Sequence, residues 1–313
     1  MDKDDRIFVA GHRGLVGSAL VRALRERGCG RLILRTREEL DLRDEGAVTA
    51  FYAEARPDYV FDAAARAGGI LAHQRYPADF LLDNLRIQNN LIRGAVAAGV
   101  RKYLFIGSAA AYPRDAPQPL REDALLTGPP EPSHESYAIA KIAGIRLCQA
   151  FRRQAGWRSV VLMPTNLYGP RDDLGDEGGH VLPMLMRRFH QARVGGASEV
   201  TVWGTGSPRR EFLHVDDFAD AALFLMEAYD GTEIINVGAG EDVSIAELAG
   251  LLREVVGFEG DIEFDRGKPD GAPRRLLDVS RLHDLGWRHR RTLEEGVRDT
   301  YRWYAERPEA RVE

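Results

Sequence analysis

The sequence is poor in cysteine and has no long apolar run. Cys29 and Cys148 are its two cysteines, far apart and without the spacing of metal ligands. This excludes a disulfide framework and favours free thiols in a reducing compartment. No apolar stretch approaches the roughly 20 residues that span a bilayer. The charged start, Met1 to Arg6, leads directly into a strand and is unlike a signal peptide. We therefore expect a cytoplasmic protein with no membrane partner.

The charge balance shows no excess of basic residues. The chain has 43 Lys and Arg against 48 Asp and Glu, a net charge of −5. It therefore offers no electrostatic case for a nucleic-acid partner. Hydrophobic residues make up 44% and charged residues 29% of the chain, as in ordinary globular proteins. A length of 313 residues allows one large domain or two closely joined domains.

Short apolar runs alternate with helical patterns through the first half of the chain. The predicted strands are 6–10, 31–35, 58–62, 102–107 and 158–163, and the predicted helices are 15–28, 44–55, 78–98 and 137–155. Such alternation predicts right-handed crossovers and a parallel sheet covered on both faces. The expected fold class is α/β: a Rossmann-like doubly wound parallel sheet with a smaller C-terminal α/β domain for the substrate.

The second half of the chain is less regular. We predict loops at 171–179 and 268–273, a strand at 234–237, and helices at 180–193, at 214–229 and from Ser244, where Glu247 completes a capping box. The expected cofactor domain spans 1–170 and re-enters at about 214–240. The expected substrate domain spans about 171–213 and 241–313.

A glycine-rich turn follows the first predicted strand. Gly11, Gly14 and Gly17 lie between the strand 6–10 and a helix. In this setting, backbone N–H groups and the N-terminus of the helix can hold a pyrophosphate. Side chains at the glycines would push the phosphates or the helix away. The turn therefore predicts a dinucleotide site.

The tip of the second predicted strand favours NADP over NAD. An acidic residue there would bind the ribose 2′-OH of NAD, but this strand ends in Thr36-Arg37. Arg13, inside the glycine turn, and Arg37 could instead meet a 2′-phosphate through charge-assisted hydrogen bonds. Asp41 and Leu42 follow and could border the adenine.

Three further residues have the spacing of a carbonyl-reducing site. Ser108 follows the strand 102–107, at the strand end where open α/β sheets place ligands. Tyr137 and Lys141 are four residues apart, on one face of a helix. The Lys141 ammonium and the positive nicotinamide of a cofactor should together lower the pKa of Tyr137 from its usual value near 10 towards working pH. Tyr137 could then exchange a proton with a carbonyl oxygen while a hydride moves at carbon, with Ser108 bonded to the same oxygen.

These residues resemble the extended short-chain dehydrogenase/reductases, whose pattern is Gly-x-x-Gly-x-x-Gly, Ser and Tyr-x-x-x-Lys. Longer stretches narrow the resemblance to the GDP-L-fucose synthase family: 10–18, 137–144, 163–170, 210–217 and 268–271. The resemblance covers almost the whole chain. It implies an NADPH-dependent enzyme that epimerises C3 and C5 of GDP-4-keto-6-deoxy-D-mannose and then reduces C4.

The resemblance also implies site residues. The catalytic set is Ser108, Tyr137, Lys141 and His180. The NADP(H) contacts are Gly11, His12, Arg13, Gly14, Leu15, Val16, Gly17, Arg37, Asp41, Leu42, Ile106, Gly107, Lys141, Pro164, Thr165, Asn166, Leu167 and His180. The substrate contacts are Ser108, Asn166, Arg188, Trp203, Arg210, Asp270 and Arg275.

The implied roles agree with the side-chain chemistry. Arg188 and Arg210 can bind a diphosphate bidentately. Trp203 offers a flat surface to a base or sugar, although core packing is its alternative explanation. The resemblance further implies a loop at 66–70 over the nicotinamide. It also implies a homodimer that pairs through the helices 78–98 and 137–155.

One departure from the family affects the chemistry. The family has a cysteine two residues after the serine, as the base for epimerisation, and here that position is Ala110. A methyl group cannot remove a proton, so we expect 4-keto reduction without efficient C3/C5 epimerisation. Three explanations stay open. The chain is a natural reductase for another keto sugar, an epimerase that uses His180 alone or a water, or an engineered variant whose cysteine was removed.

Other classes of function remain alternatives. The chain could be a full GDP-L-fucose synthase or another NAD(P)-dependent nucleotide-sugar epimerase or dehydratase. A dehydratase would want acids directly after the serine, where Ala109 and Ala110 stand. A non-enzymatic NADPH sensor is disfavoured by the intact Ser108, Tyr137 and Lys141. No grouping of residues resembles a metal site.

Overall fold

The computed structural model describes residues 1–175, 179–268 and 270–307. Its strands are β1 (Ile7–Ala10), β2 (Leu32–Ile33), β3 (Tyr59–Asp62), β4 (Lys102–Ile106), β5 (Ser159–Pro164), β6 (Asn166–Tyr168), β7 (Glu199–Trp203), β8 (Arg209–Arg210), β9 (Phe212–His214), β10 (Ile235–Val237), β11 (Val243–Ser244), β12 (Asp261–Asp265) and β13 (Arg274–Arg275). Its α-helices are α1 (Leu15–Glu26), α2 (Glu45–Ala55), α3 (Ile70–Arg75), α4 (Pro77–Ala97), α5 (Glu135–Ala155), α6 (Val181–Gly195), α7 (Val215–Ala228), α8 (Ile245–Val256), α9 (Ser280–Asp284) and α10 (Leu293–Ala305).

Six parallel strands form the main sheet, in the order β10-β5-β4-β3-β1-β2. The predicted doubly wound α/β fold is confirmed. The chain passes from β1 outward to β2 and then returns to β3 on the other side of β1. The strand order therefore reverses between β1 and β3, where such sheets bind their ligands beyond the carboxyl ends.

Side chains of β1 alternate between two apolar cores. Ile7 and Val9 join α1 and α7 on one face of the sheet. Phe8 and Ala10 join α2, α4 and α5 on the other. The strand is buried on both sides, which explains why its sequence is a continuous apolar run.

Residues of the second half form a third core and three small sheets. Helices α6, α8 and α10 pack against the parallel pair β7–β12 around Phe189 and Leu252. The other two sheets are β11-β8-β13 and β6-β9. Five of these strands are two or three residues long, too short for alternation to reveal them in sequence. The five-residue strands β7 and β12 do alternate apolar and polar residues, and the sequence analysis missed that signal.

Several predicted boundaries need correction. The helix predicted at 214–229 runs from Val215 to Ala228, because His214 ends β9 and caps α7 by accepting from the N–H of Asp216. The second strand shrinks from 31–35 to Leu32–Ile33. The predicted loops 171–179 and 268–273 include residues 176–178 and Pro269, which lie outside the described residues. Within the described ranges, no helix is long and apolar enough to cross a membrane.

Candidate active site

The glycine turn lies at the carboxyl end of β1, beside β3. Gly11 has φ +75°, and a Cβ there would lie 2.6 Å from the carbonyl oxygen of Ala63. A Cβ on Gly17 would lie 2.1 Å from the carbonyl oxygen of Gly11. Both contacts are impossible for a real side chain, so these glycines allow α1 to approach the turn closely.

Helix α1 begins without a side-chain cap. Its N-cap residue is Gly14, no side chain of the described residues caps its first N–H groups, and no acid occupies the first turn. His12 has a buried Nδ1 without a hydrogen-bond partner in the described part of the chain. An uncapped helix N-terminus with free donors attracts a phosphate. The turn therefore fits the dinucleotide predicted for it.

The tip of β2 holds charges of both signs. Arg13 lies 4.0 Å from Glu38, and their side chains are 68% and 79% exposed, so this pair is weak. Asp41 is bound through both oxygens by Arg43, which lowers the pKa of Asp41 to about 2. Arg13 and Arg37 are thus open to a 2′-phosphate, whereas the Asp41 carboxylate is already engaged.

Ser108 and Ala110 lie together just beyond β4. A short 3-10 helix spans Ala109–Ala111, and the Ser108 hydroxyl caps it by accepting from the N–H of Ala110 at 3.1 Å. This bond fixes the position of the Ser108 oxygen. Ala110 is partly exposed and presents only a methyl group.

Helix α5 carries Tyr137 and Lys141 to the same place. The Tyr137 phenol lies beside the Ser108 hydroxyl, whose interaction with it lowers the pKa of Tyr137. The Lys141 ammonium donates to the carbonyl oxygen of Ile106 at 2.8 Å and lies 5.8 Å from the centre of the Tyr137 ring. The structure therefore brings together three residues that lie on two separate segments of the sequence.

The predicted lowering of the Tyr137 pKa is wrong for the protein without a bound cofactor. Burial raises the pKa of Tyr137 to about 12, and the bond to Ser108 lowers it by less. Lys141 does not offset burial, because it donates to Ile106 and because its own pKa is lowered by burial. The phenol is therefore protonated at neutral pH.

His180 immediately precedes α6 and pairs with an acid that the sequence analysis did not single out. Its Nδ1 lies 4.0 Å from Oδ1 of Asp172. The nearby Asp172 carboxylate raises the pKa of His180, more than burial lowers it. Asp172 therefore stabilises the imidazolium form of His180 relative to the neutral ring.

Two further histidines near Tyr137 were also missed. The ring centre of His73, on α3, lies 5.4 Å from that of Tyr137 and 6.2 Å from that of His134. Burial lowers the pKa of His73 to about 4, and His134 and His180 add to this. Their sequence contexts carry no motif, so spacing could not have found them.

A buried carboxylate lies behind Lys141. Asp62, at the end of β3, accepts from the Tyr103 hydroxyl at 2.7 Å. Burial raises the pKa of Asp62, and the charge of Lys141 lowers it. Asp62 in turn raises the pKa of Lys141. Burial thus shifts both groups towards their neutral forms, and their mutual attraction opposes that shift.

Arg210 and Arg275 are paired side by side on adjacent strands. They are register partners in the parallel pair β8–β13. Burial and the charge of Arg275 lower the pKa of Arg210. The Nη2 atom of Arg275 is buried and has no hydrogen-bond partner among the described residues. Two adjacent guanidinium groups with an unused donor repel each other unless an anion lies between them.

This arginine pair borders the catalytic residues. Arg275 donates to the carbonyl oxygen of Pro113 at 3.3 Å, and its charge contributes to lowering the pKa of His134. The arginine pair therefore lies next to the segments that follow Ser108 and precede Tyr137.

The other predicted substrate residues lie around Trp203. This side chain is 45% exposed, so core packing does not explain it. Arg188 and Lys268 lie 5.2 Å and 5.5 Å from its ring. Asp270 is already bonded to the N–H of Thr205 at 2.9 Å and to its hydroxyl at 2.7 Å, so it shapes the loop beside Trp203.

The remaining predicted cofactor contacts line the carboxyl ends of β4 and β5. Ile106 offers its carbonyl to Lys141, and a Cβ on Gly107 would lie 2.6 Å from Sδ of Met163. Pro164 ends β5. The other three residues of this set are Thr165, Asn166 and Leu167. Thr165 and Asn166 both donate to the main-chain oxygen of Glu211.

Comparison with known proteins agrees with this arrangement. A family model described as the NAD dependent epimerase/dehydratase family matches residues 7–238. GDP-L-fucose synthase 1 of Arabidopsis thaliana is 57% identical over 303 residues, which is 97% of this chain and 94% of the relative.

Two solved structures are also similar over nearly their full length. A GDP-6-OMe-4-keto-L-xylo-heptose reductase from C. jejuni has a TM-score of 0.93 and 36% identity, covering 97% of this chain and 98% of the other. A GDP-mannoheptose C4 reductase from Campylobacter jejuni, with NADP bound, has a TM-score of 0.90 and 38% identity, covering 97% and 99%.

Proposed function

Because the chain belongs to the NAD dependent epimerase/dehydratase family, we propose that it is an NADPH-dependent 4-keto reductase of a GDP-linked 4-keto-6-deoxy sugar. One observation carries this proposal. Ser108, Tyr137 and Lys141 lie together just beyond β4, which supports proton transfer to a ketone oxygen, whereas the residue two positions after the serine is Ala110.

The cofactor is NADP(H), which supplies a hydride when bound. A similar solved structure contains NADP. The uncapped start of α1 and the turn from Gly11 to Gly17 would hold its diphosphate. Arg13 and Arg37 are in place for the 2′-phosphate, and Lys141 for the nicotinamide ribose.

Ser108 and Tyr137 bind the ketone oxygen of the sugar. Tyr137 is protonated at neutral pH because its pKa is raised to about 12. It is therefore in the state that donates a proton as the C4 oxygen gains negative charge. Positioned proton transfer of this kind contributes typically 10²–10⁴-fold to a rate.

Epimerisation at C3 and C5 lacks the cysteine base that the resemblance implies, because Ala110 occupies its position. Removal of a proton beside a ketone requires a proton acceptor, and Ala110 cannot accept one. Asp172 raises the pKa of His180, which favours a role in protonation over one in proton abstraction. The site therefore favours reduction without inversion at these carbons.

The nucleotide binds along the second half of the chain. Arg210 and Arg275 present two guanidinium groups to the diphosphate. The exposed ring of Trp203, flanked by Arg188, offers a stacking surface to the base.

A full GDP-L-fucose synthase is the second candidate. It is favoured by 57% identity to the Arabidopsis thaliana relative over nearly the whole chain. In that case His180 or a bound water would remove the protons. The two candidates differ only at C3 and C5.

Solvent deuterium exchange separates them. We expect the protein with NADPH and GDP-4-keto-6-deoxy-D-mannose to oxidise NADPH while C3 and C5 keep their hydrogen, as followed by mass spectrometry and NMR. Ala110→Cys should introduce exchange, and Ala109→Cys is the matched control. Rapid exchange in the unaltered protein would overturn reduction without epimerisation. Absence of NADPH oxidation would overturn the reductase proposal.

We further propose a homodimer through α4 and α5, whose outer surfaces expose Leu82 and Ile139. Sedimentation equilibrium tests the dimer, and we expect a mass of twice 34.9 kDa.

The free buried thiols of Cys29 and Cys148 fit a reducing, cytoplasmic location. Cell fractionation tests this location.

Residues 1–170 and about 214–240 would form the cofactor domain, and residues of about 171–213 and 241–313 would form the substrate domain. Limited proteolysis tests this division.

A further inference from the structure

Glu211 is fully buried beside the arginine pair. It is 0% exposed and lies between Arg210 and β9. One carboxylate oxygen accepts from the main-chain N–H of Gly240 at 2.7 Å. The other accepts from the main-chain N–H of Leu277 at 2.9 Å. A buried carboxylate is costly unless such bonds satisfy it.

These bonds join chain segments that are far apart in sequence. Leu277 follows β13, two residues after Arg275, and Gly240 follows β10. The main-chain N–H of Glu211 also donates to the carbonyl oxygen of Arg275 at 3.2 Å. Both the backbone and the side chain of Glu211 thus hold the segment that carries Arg275.

The pairing of β8 with β13 is weak by itself. It has two register pairs, Arg209 with Arg274 and Arg210 with Arg275. A slip of one residue would turn Arg275 to the opposite face of the strand. The repulsion between neighbouring guanidinium groups favours separation of the two strands. The bonds at Leu277 and Arg275 oppose both movements.

The glycine at position 238 leaves space for the carboxylate of Glu211. A Cβ on Gly238 would lie 2.2 Å from the nearer oxygen of Glu211. Any side chain at Gly238 would therefore displace the carboxylate from its two donors. The lack of a side chain at Gly238 and the two hydrogen bonds are separate observations, and both place the Glu211 carboxylate at the same position.

We propose that Glu211 is a positioning residue whose carboxylate fixes the register of Arg275 against Arg210 and so preforms the site for the diphosphate of the substrate. The inference rests on the proposed GDP-sugar function. Glu211 itself does not touch the substrate. It acts through the two arginines, because its two oxygens accept from the main-chain N–H groups of Gly240 and Leu277. Burial raises the pKa of Glu211 to about 7, so the binding measurements are made at a pH well above that value, where the ionised carboxylate accepts at both oxygens.

The matched variants are Glu211→Gln, Gly238→Ala and Gly250→Ala. Glutamine presents an NH₂ to one of the two N–H donors, so one bond is lost. Gly238→Ala displaces the carboxylate. A methyl group at Gly250, on α8, would have no atom of the described residues within 4 Å beyond its own helix turn, so Gly250→Ala is the control. Circular dichroism and thermal melting establish that each variant is folded.

Isothermal titration of the full chain with GDP, and separately with NADPH, is the measurement. We expect Glu211→Gln and Gly238→Ala to weaken GDP binding about tenfold and Gly250→Ala less than twofold. NADPH binding should stay within twofold, because Thr165 and Asn166 bond the main-chain oxygen of Glu211, which is retained. A folded Glu211→Gln protein with unchanged GDP affinity overturns the inference. If Glu211→Gln does not fold, the same criterion applies to Gly238→Ala.

A double-mutant cycle tests whether Glu211 acts through the arginines. In an Arg275→Ala background, Glu211→Gln should change GDP affinity less than twofold. A full tenfold effect there overturns the positioning role. If the unaltered protein does not bind GDP, the proposed function fails. Inorganic pyrophosphate then replaces GDP as the probe, and the same comparison decides the inference about Glu211.

Discussion

The catalytic cluster and the arginine pair are built in different ways. Ser108 ends a buried strand, and Tyr137 and Lys141 share one helix that packs on the sheet. Arg210 and Arg275 come from two-residue strands held together by a buried carboxylate. The first site depends on regular elements with strong local signals, and the second depends on a few long-range bonds. Chemistry and binding should therefore respond separately to substitution.

Tyr137→Phe should have the largest effect. We expect kcat to fall by about 10²–10⁴-fold, since the proton donor is lost, while GDP affinity stays within twofold because the arginines are untouched. Stopped-flow NADPH oxidation and GDP titration measure the two quantities. Tyr229→Phe is the control, since its hydroxyl donates to the carbonyl of Glu233, away from the site. Unchanged turnover in Tyr137→Phe would disprove the catalytic assignment.

Arg275→Ala should weaken binding of the GDP-sugar while leaving kcat nearly unchanged. Loss of a charge-assisted contact worth about 1.5–3 kcal/mol should raise the KM for the GDP-sugar roughly 10–100-fold, with kcat at saturation changed less than threefold. Arg274→Ala is the matched control, because Arg274 bonds Asp242 instead. Equal losses in kcat and affinity would mean that the two regions are not separable.

His73→Asn should have the smallest effect, and on stability rather than activity. The pKa of His73 is lowered to about 4, so folding favours the neutral ring. The free energy of unfolding is therefore highest above the unfolded pKa near 6.5, and it declines as the pH falls towards 4. Between pH 7 and 5.5, His73 should lower the free energy of unfolding by about 1 kcal/mol. We expect that contribution of His73 to be absent in His73→Asn.

Urea unfolding at both pH values measures the difference. Gln74→Asn, an exposed and non-titrating neighbour, should keep the pH dependence of the unaltered protein. An equally steep decline in His73→Asn would show that His73 is not a source of acid sensitivity beside Tyr137.

The sequence was informative wherever function follows from regular elements. The glycine turn, the strand end at Ser108 and the four-residue spacing of Tyr137 and Lys141 predict the cofactor cleft, because strand and helix periodicities fix where such residues lie. Apart from β10, the strands of two or three residues in the second half were missed, since so few residues carry no period, and the alternation of β7 and β12 was overlooked. In the protein by itself, burial outweighs the lowering of the Tyr137 pKa expected from Lys141, because spacing reveals a neighbouring charge but not burial.

The sequence alone determined the parallel sheet, the glycine turn after β1, the spacing of Tyr137 and Lys141, and the alanine at position 110. These depend on local patterns that any chain with this sequence must present. The tertiary structure alone decided that Asp172 faces His180, that His73 packs against Tyr137, and that Glu211 joins three segments around the arginines. Each of these contacts joins residues that no spacing relates, and each depends on burial, which only the folded chain creates.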